Sequence, residues 1–194
     1  MTETIEPTRL DKAILFAMKA HAGQYRKYGD TPYIYHPIEC LSIATTLTHD
    51  EDVRIAALLH DTVEDTEVTL EDIEKAFGPR VRMLVDSETE KTDPNISREA
   101  SWLQRKEQSL KELETAPIET KIIWLSDKVS NMRSFHNTYL EKGVDMWNLF
   151  NQKDPKLQKR HYERIGELLS DLNNTAAYRE YMWRMNEIFK DVED

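Results

Sequence analysis

Only five glycines and seven prolines interrupt the 194 residues of this chain. Glycine opens backbone conformations closed to other residues and proline withdraws a backbone donor, so together they supply most of the points at which a helix stops. Where they are this scarce, and helix formers fill the intervals, long helical stretches follow. The expected fold class is all-α, with about eight to ten helices. With 39% hydrophobic residues the chain can bury one good core, so residues 1–194 are expected to form a single domain.

Helix signals follow in order. Thr8-x-x-Asp11 has the form of a capping box, and Leu10, Ile14, Ala17, Met18 and His21 follow at helical spacing up to Gly23. A second helix is predicted over residues 37–47 and a third over 50–65. Thr69-x-x-Asp72 opens a short helix that Gly78 closes, and Pro79 in a first-turn position starts the next. Asp93-Pro94-Asn95 reads as a turn before a long helix over 97–113, and Pro117 restarts the chain. Asp154-Pro155 caps a helix to about residue 172, Asn173-Asn174 breaks it, and 176–189 form the last one. Its stripe of Tyr178, Tyr181, Met182, Trp183, Met185 and Phe189 has the character of core or subunit contact rather than a cofactor box. No internal repeat, low-complexity run or Gly-rich phosphate loop is present.

The single Cys40 forbids an intrachain disulfide, and residues 1–7 have neither a basic flank nor an apolar signal core. No apolar run approaches the roughly 18 residues of a membrane span. A cytoplasmic protein is expected, with no membrane and no nucleic acid among its partners. Whether it forms a homo-oligomer is open. The net charge of −10, from 26 basic and 36 acidic residues, repels polyanions at long range, so any anionic ligand needs a local basic cluster.

The chemistry concentrates in His60-Asp61-Thr62-Val63-Glu64-Asp65-Thr66, directly after the apolar Ile55-Ala56-Ala57-Leu58-Leu59. At about 100° per helical residue, His60 stacks over Glu64 and Asp61 over Asp65. Acids crowded at a helix C-terminus oppose its dipole, a cost that a cation offsets. His60 and Asp61 alone are half a coordination shell. His36 stands before Pro37 at an element boundary, and Asp127 ends the apolar run 122–125, with Asn131 one turn later on the same face. An acid at the edge of a buried stretch is costly unless paired or bound to metal. Two imidazoles and two carboxylates favour Mn²⁺, Fe²⁺ or Zn²⁺ and leave positions open for water and substrate. His21, His49, His136 and His161 lack such company and read as surface or satisfied core histidines.

His36, His60-Asp61 and Asp127 are similar to the H…HD…D signature of HD-domain metal-dependent phosphohydrolases. More narrowly, Ala57 to Thr66 resembles the hydrolase domain of RelA/SpoT-type alarmone enzymes, and the single-domain small alarmone hydrolases of the metazoan SpoT-homologue kind in particular. Gly23-Gln24-Tyr25-Arg26-Lys27 with Pro32 to Pro37, Phe77-Gly78-Pro79-Arg80-Val81, and Leu125 to Arg133 agree with it. The likeness covers about residues 10–136, leaving 137–194 as C-terminal helices. It implies an HD-domain helical bundle and a guanosine-3′,5′-bis(diphosphate) 3′-pyrophosphohydrolase of the stringent response. Such an enzyme uses Mn²⁺, or another divalent metal, to convert guanosine tetra- or pentaphosphate to GDP or GTP and pyrophosphate. By that resemblance His36, His60, Asp61 and Asp127 hold the metal, and Glu64 and Asp65 position and deprotonate the attacking water. Arg26 and Lys27 pack on the base and contact phosphate, Asn131 contacts the sugar, and Arg105-Lys106 matches a basic pair on the corresponding helix.

Two departures stand out. The segment between Lys27 and Pro32 is one residue longer than the common form, and Leu84-Val85-Asp86-Ser87-Glu88-Thr89-Glu90 is more acidic than its family counterpart. Neither touches a metal ligand. Two other readings share these residues: an HD hydrolase of another nucleotide, such as an adenosine alarmone or the 2′-phosphate of NADPH, and a non-catalytic nucleotide-binding protein.

Overall fold

The apolar run that precedes His60 becomes the helix around which the N-terminal half is built. A computed structural model describes residues 6–26, 30–89, 96–97 and 100–193, and the chain divides into two compact units, 1–89 and 90–194. In the first, α1 (Arg9–Ala20), α2 (Tyr35–Leu47), α3 (Glu51–Leu59), α4 (Thr62–Asp65), α5 (Leu70–Phe77) and α6 (Pro79–Asp86) follow in order. Helix α3 is buried at Val53 and at every position from Ile55 to Leu59. A helix apolar all round belongs in the middle, and α3 packs against α1, α2 and α6. Burying a leucine such as Leu58 contributes about 1.5–3 kcal/mol. The polar start of α3 is gripped from outside: Arg80 on α6 pairs with Asp50 at 2.7 Å and Asp52 at 3.1 Å, and Arg9 on α1 also reaches Asp52.

Both capping boxes form, Thr8 with Asp11 and Thr69 with Asp72. Gly78, at φ +93°, joins α5 to α6 with Pro79 in the first turn.

The second unit holds α7 (Trp102–Glu114), α8 (Ile118–Lys142), a 3-10 helix (Gly143–Leu149), α9 (Pro155–Leu168), a short 3-10 turn (Ser170–Leu172) and α10 (Ala176–Phe189). Helix α10 packs on α8 and α9, and α7 on α9. A Cβ at Gly166 would lie 2.8 Å from Met182 Sδ, so this glycine permits the close approach of α9 and α10. Tyr181, Met185 and Phe189 are buried, as expected of the C-terminal stripe, whereas Trp183 is 53% exposed.

The all-α class holds: among the described residues there is no strand, only an isolated bridge between Tyr25 and Pro32. Some boundaries differ from expectation. Helix α2 starts two residues early at Tyr35 and takes in His36, because Pro37 falls in the first turn, where its missing N–H costs nothing. Helix α7 starts at Trp102 rather than at 97. The turn expected at 93–95 lies outside the described residues. The expected continuous helix over 50–65 is broken at His60-Asp61, and the helix to 172 ends at Leu168 before its 3-10 turn. No helix among the described residues is long and apolar enough to cross a membrane.

Candidate metal centre

Between α3 and α4 the chain turns at His60 and Asp61. His60 keeps helical dihedrals, φ −55° and ψ −41°, but its Nδ1 lies 2.9 Å from the Ala57 carbonyl oxygen, the oxygen that a continuing helix would offer to the amide of Asp61. A carbonyl only accepts, so Nδ1 carries the hydrogen and donates it. Nε2 is thereby turned towards Asp61 with its lone pair, the arrangement by which a backbone carbonyl fixes the tautomer of a ligating histidine.

His36, in the first turn of α2, meets the same carboxylate. Its Nε2 lies 3.2 Å from Asp61 Oδ2, and that of His60 lies 3.1 Å from the same oxygen. Both imidazoles are buried, and their rings meet edge to face at 5.2 Å. Burial pushes the Asp61 carboxyl up, but the two imidazoles together hold it well below the usual carboxylate range. With Nδ1 of His60 as a donor, a neutral His60 turns a lone pair on the Asp61 carboxylate, a repulsion that a proton or a metal ion at Nε2 removes. This donor set fits a divalent cation of the borderline class.

Cys40, one turn after His36 on α2, completes a group with His36 and His60 whose ligand atoms lie within 4.8 Å of one another. Its Sγ is nearly equidistant from the two nitrogens of His36, at 3.8 and 3.9 Å. The sulfur is therefore off the line of either lone pair and packs against the ring.

Asp65 remains one turn from Asp61, its amide donating to the Asp61 carbonyl at 2.9 Å. Tyr33 joins them: its hydroxyl lies 2.6 Å from Asp61 Oδ2 and 3.0 Å from Asp65 Oδ2. Burial first, then these two carboxylates, push the Tyr33 phenol far above its usual value, so it is a donor at any physiological pH. Gln24 Nε2 donates to the Asp65 carbonyl at 2.7 Å, and its Oε1 accepts from His21 Nδ1 at 2.8 Å. Glu64 is half-buried on α4. Arg26 places its guanidinium 5.7 Å from the Tyr33 ring centroid. Lys27 lies outside the described residues, as does part of the lengthened segment that follows it.

In the second unit Asp127 is buried on α8, paired with Lys128 and accepting from Asn131 Nδ2 at 2.6 Å. Lys128 stands over the Trp124 ring at 4.6 Å. On α7, Arg105 donates to Ser101 Oγ at 3.2 Å, and Lys106 beside it is half-buried. His161 is buried, and burial above all, then Lys106 and Lys128, holds its pKa well below the usual value, so it is a neutral core histidine. His136 and His21 are buried as well, and His49 is exposed.

Tyr33, Gln24, His21 and Cys40 had no part in the site read from the sequence. The one available signal was spacing: Tyr33 and Cys40 stand three residues before and four after His36.

Comparison with known proteins places the chain in a family. The HD domain family model matches residues 13–152, a stretch that runs through both units. A guanosine-3′,5′-bis(diphosphate) 3′-pyrophosphohydrolase of Mus musculus is 40% identical over 138 residues, covering 68% of this chain and 72% of that protein. A GTP pyrophosphokinase of Streptomyces coelicolor is 38% identical over 140 residues, 72% of this chain. The chain spans only 16–18% of the length of such pyrophosphokinases. Among solved structures, a metazoan orthologue of SpoT, described as hydrolysing ppGpp and acting in starvation responses, matches with a TM-score of 0.70 at 26% identity over 97% of both chains. With the HD domain model matching residues 13–152, well over half of its length, this chain belongs to the HD-domain family.

Proposed function

We propose that this protein is a 3′-pyrophosphohydrolase of guanosine tetra- and pentaphosphate, releasing pyrophosphate and leaving GDP or GTP, with Mn²⁺ as its metal. The observation that carries this reading is the convergence of His36 Nε2 and His60 Nε2 on Asp61 Oδ2, next to a second carboxylate, Asp65, that shares a hydrogen-bonding tyrosine with it. His36, His60 and Asp61 hold the ion, with Asp127 as fourth ligand on the sequence pattern. A divalent ion there supplies the positive charge that a polyanionic ester needs before hydroxide can approach it. Glu64 and Asp65 orient the water and take its proton. Arg26 stacks on the base, and Lys27, Asn131, Arg105 and Lys106 contact sugar and phosphates, offsetting the net −10 of the chain. The two units act as one HD-type domain in the cytoplasm. The names of the Mus musculus relative and of the metazoan structure support this choice of substrate.

A product assay with Mn²⁺ on guanosine tetraphosphate, its adenosine analogue and NADPH tests the reading. Pyrophosphate release from the guanosine substrate, with a kcat/KM at least about tenfold above the others, a difference of about 1.4 kcal/mol, is the expected outcome. Preference for the adenosine compound or for phosphate release from NADPH would overturn the substrate, and turnover of none would overturn the reading.

A further inference from the structure

We propose that Tyr33 is a positioning residue, its hydroxyl tying the carboxylate that holds the cation to the carboxylate that handles the water. The inference rests on the hydrolase reading above for the roles of Asp61 and Asp65, but its geometry stands apart from the identity of the nucleotide. Packing alone explains the ring: it lies against His21 at 4.9 Å between centroids and meets the edge of His36 at 5.8 Å. A phenylalanine would make the same contacts. The hydroxyl is a different matter, because taking a polar group out of water costs free energy unless it is hydrogen-bonded. Here it faces two carboxylate oxygens, at 2.6 and 3.0 Å, and has one hydrogen to give. The one hydrogen is shared between the two oxygens, so Asp61 Oδ2 keeps a hydrogen-bond partner when it takes up a cation, and Asp65 Oδ2 is held beside it. The rest of the segment keeps the phenol in place: the Tyr33 amide donates to the Gln24 carbonyl at 2.9 Å, and the Gln24 side chain donates to the Asp65 carbonyl at 2.7 Å. Tyr33 is thus bound to the α4 turn directly and through Gln24.

The test is Tyr33→Phe, which removes one oxygen and keeps the ring. The Mn²⁺ dissociation constant, read from the free-ion electron paramagnetic resonance signal with Mn²⁺ alone, should rise about tenfold, the lower end of what losing a ligand's hydrogen-bond partner costs. In turnover, kcat should fall about tenfold with KM held within about twofold, the mark of a contact used after binding. Combined with Asp65→Asn, Tyr33→Phe should cost less than about a further twofold in kcat, since two residues acting as one unit are not additive. Metal affinity and kcat both within about twofold of wild type, the full tenfold loss repeated in the Asp65→Asn background, or loss of the helical circular dichroism would each overturn the proposal. If the wild-type protein released no pyrophosphate, the substrate reading would fall while the Mn²⁺ measurement still decided the role of Tyr33.

Discussion

A carboxylate that binds a cation and one that moves a proton respond differently to amide replacement. An amide keeps the shape of both and loses the basicity that only the second needs. Glu64→Gln with Asp65→Asn should therefore retain Mn²⁺, measured as metal content after gel filtration, while kcat falls by about 10²-fold or more. Metal lost from that double variant would move these acids into the coordination shell. The residues of this centre differ in how far they could be read in advance. His60, Asp61, Glu64 and Asp65 stand in one run, and their residue types announce the chemistry. Tyr33, Gln24 and His21 were illegible because a phenol and an amide carry no ligand signature, and their meaning depends on the fold bringing Gln24 and Tyr33 against Asp61 and Asp65. Cys40 was hidden by one boundary: a helix started at 37 leaves His36 outside it, whereas one started at Tyr35 puts Cys40 a turn above it.

At the scale of elements, the pair α8 and α10 is fastened by Glu180, which accepts from Arg133 at 2.7 Å and from Arg184 at 2.8 Å. Arg133 chiefly, against the opposing pull of burial and with help from Arg184, lowers the Glu180 carboxyl from 4.5 to about 2. The folded state binds this proton less readily than the unfolded one. The contribution is therefore fully present above about pH 4.5 and is lost as the pH falls towards 2. The group is a quarter exposed, so solvent screening reduces its worth to roughly 1 kcal/mol. Glu180→Gln should lower the unfolding free energy by about that much at neutral pH, and urea titrations should show the two proteins converging in acid. The helices were largely legible from their caps, since Thr8, Thr69 and the Gly78-Pro79 junction each satisfy or remove backbone groups locally. The break at His60 was not, because the hydrophobic period runs on past Leu59 without a glycine or proline to mark it.

For the whole molecule, a cation that bound His36 on α2 together with His60 and Asp61 at the α3–α4 junction would favour the folded state, where the three side chains converge. A ligand at about 100 times its dissociation constant adds about 2.7 kcal/mol to stability. For a chain of this length that raises the thermal midpoint by about 5–10 °C. Scans with Mn²⁺ and with a chelator should differ by that amount, and Asp61→Ala should erase the difference while its helical circular dichroism persists. The order of helices along the chain could be written from the sequence, but its division into units 1–89 and 90–194 could not. No glycine- or proline-rich linker marks residue 89, and apolar spacing alone does not say which helices share a core. The lone thiol of Cys40 on α2 is a probe of local opening. It is wholly buried in the first unit, and the second unit contains no cysteine. A thiol-modifying reagent can therefore label the protein only when the N-terminal core comes apart. Its rate reports the opening of the surroundings that bury Cys40.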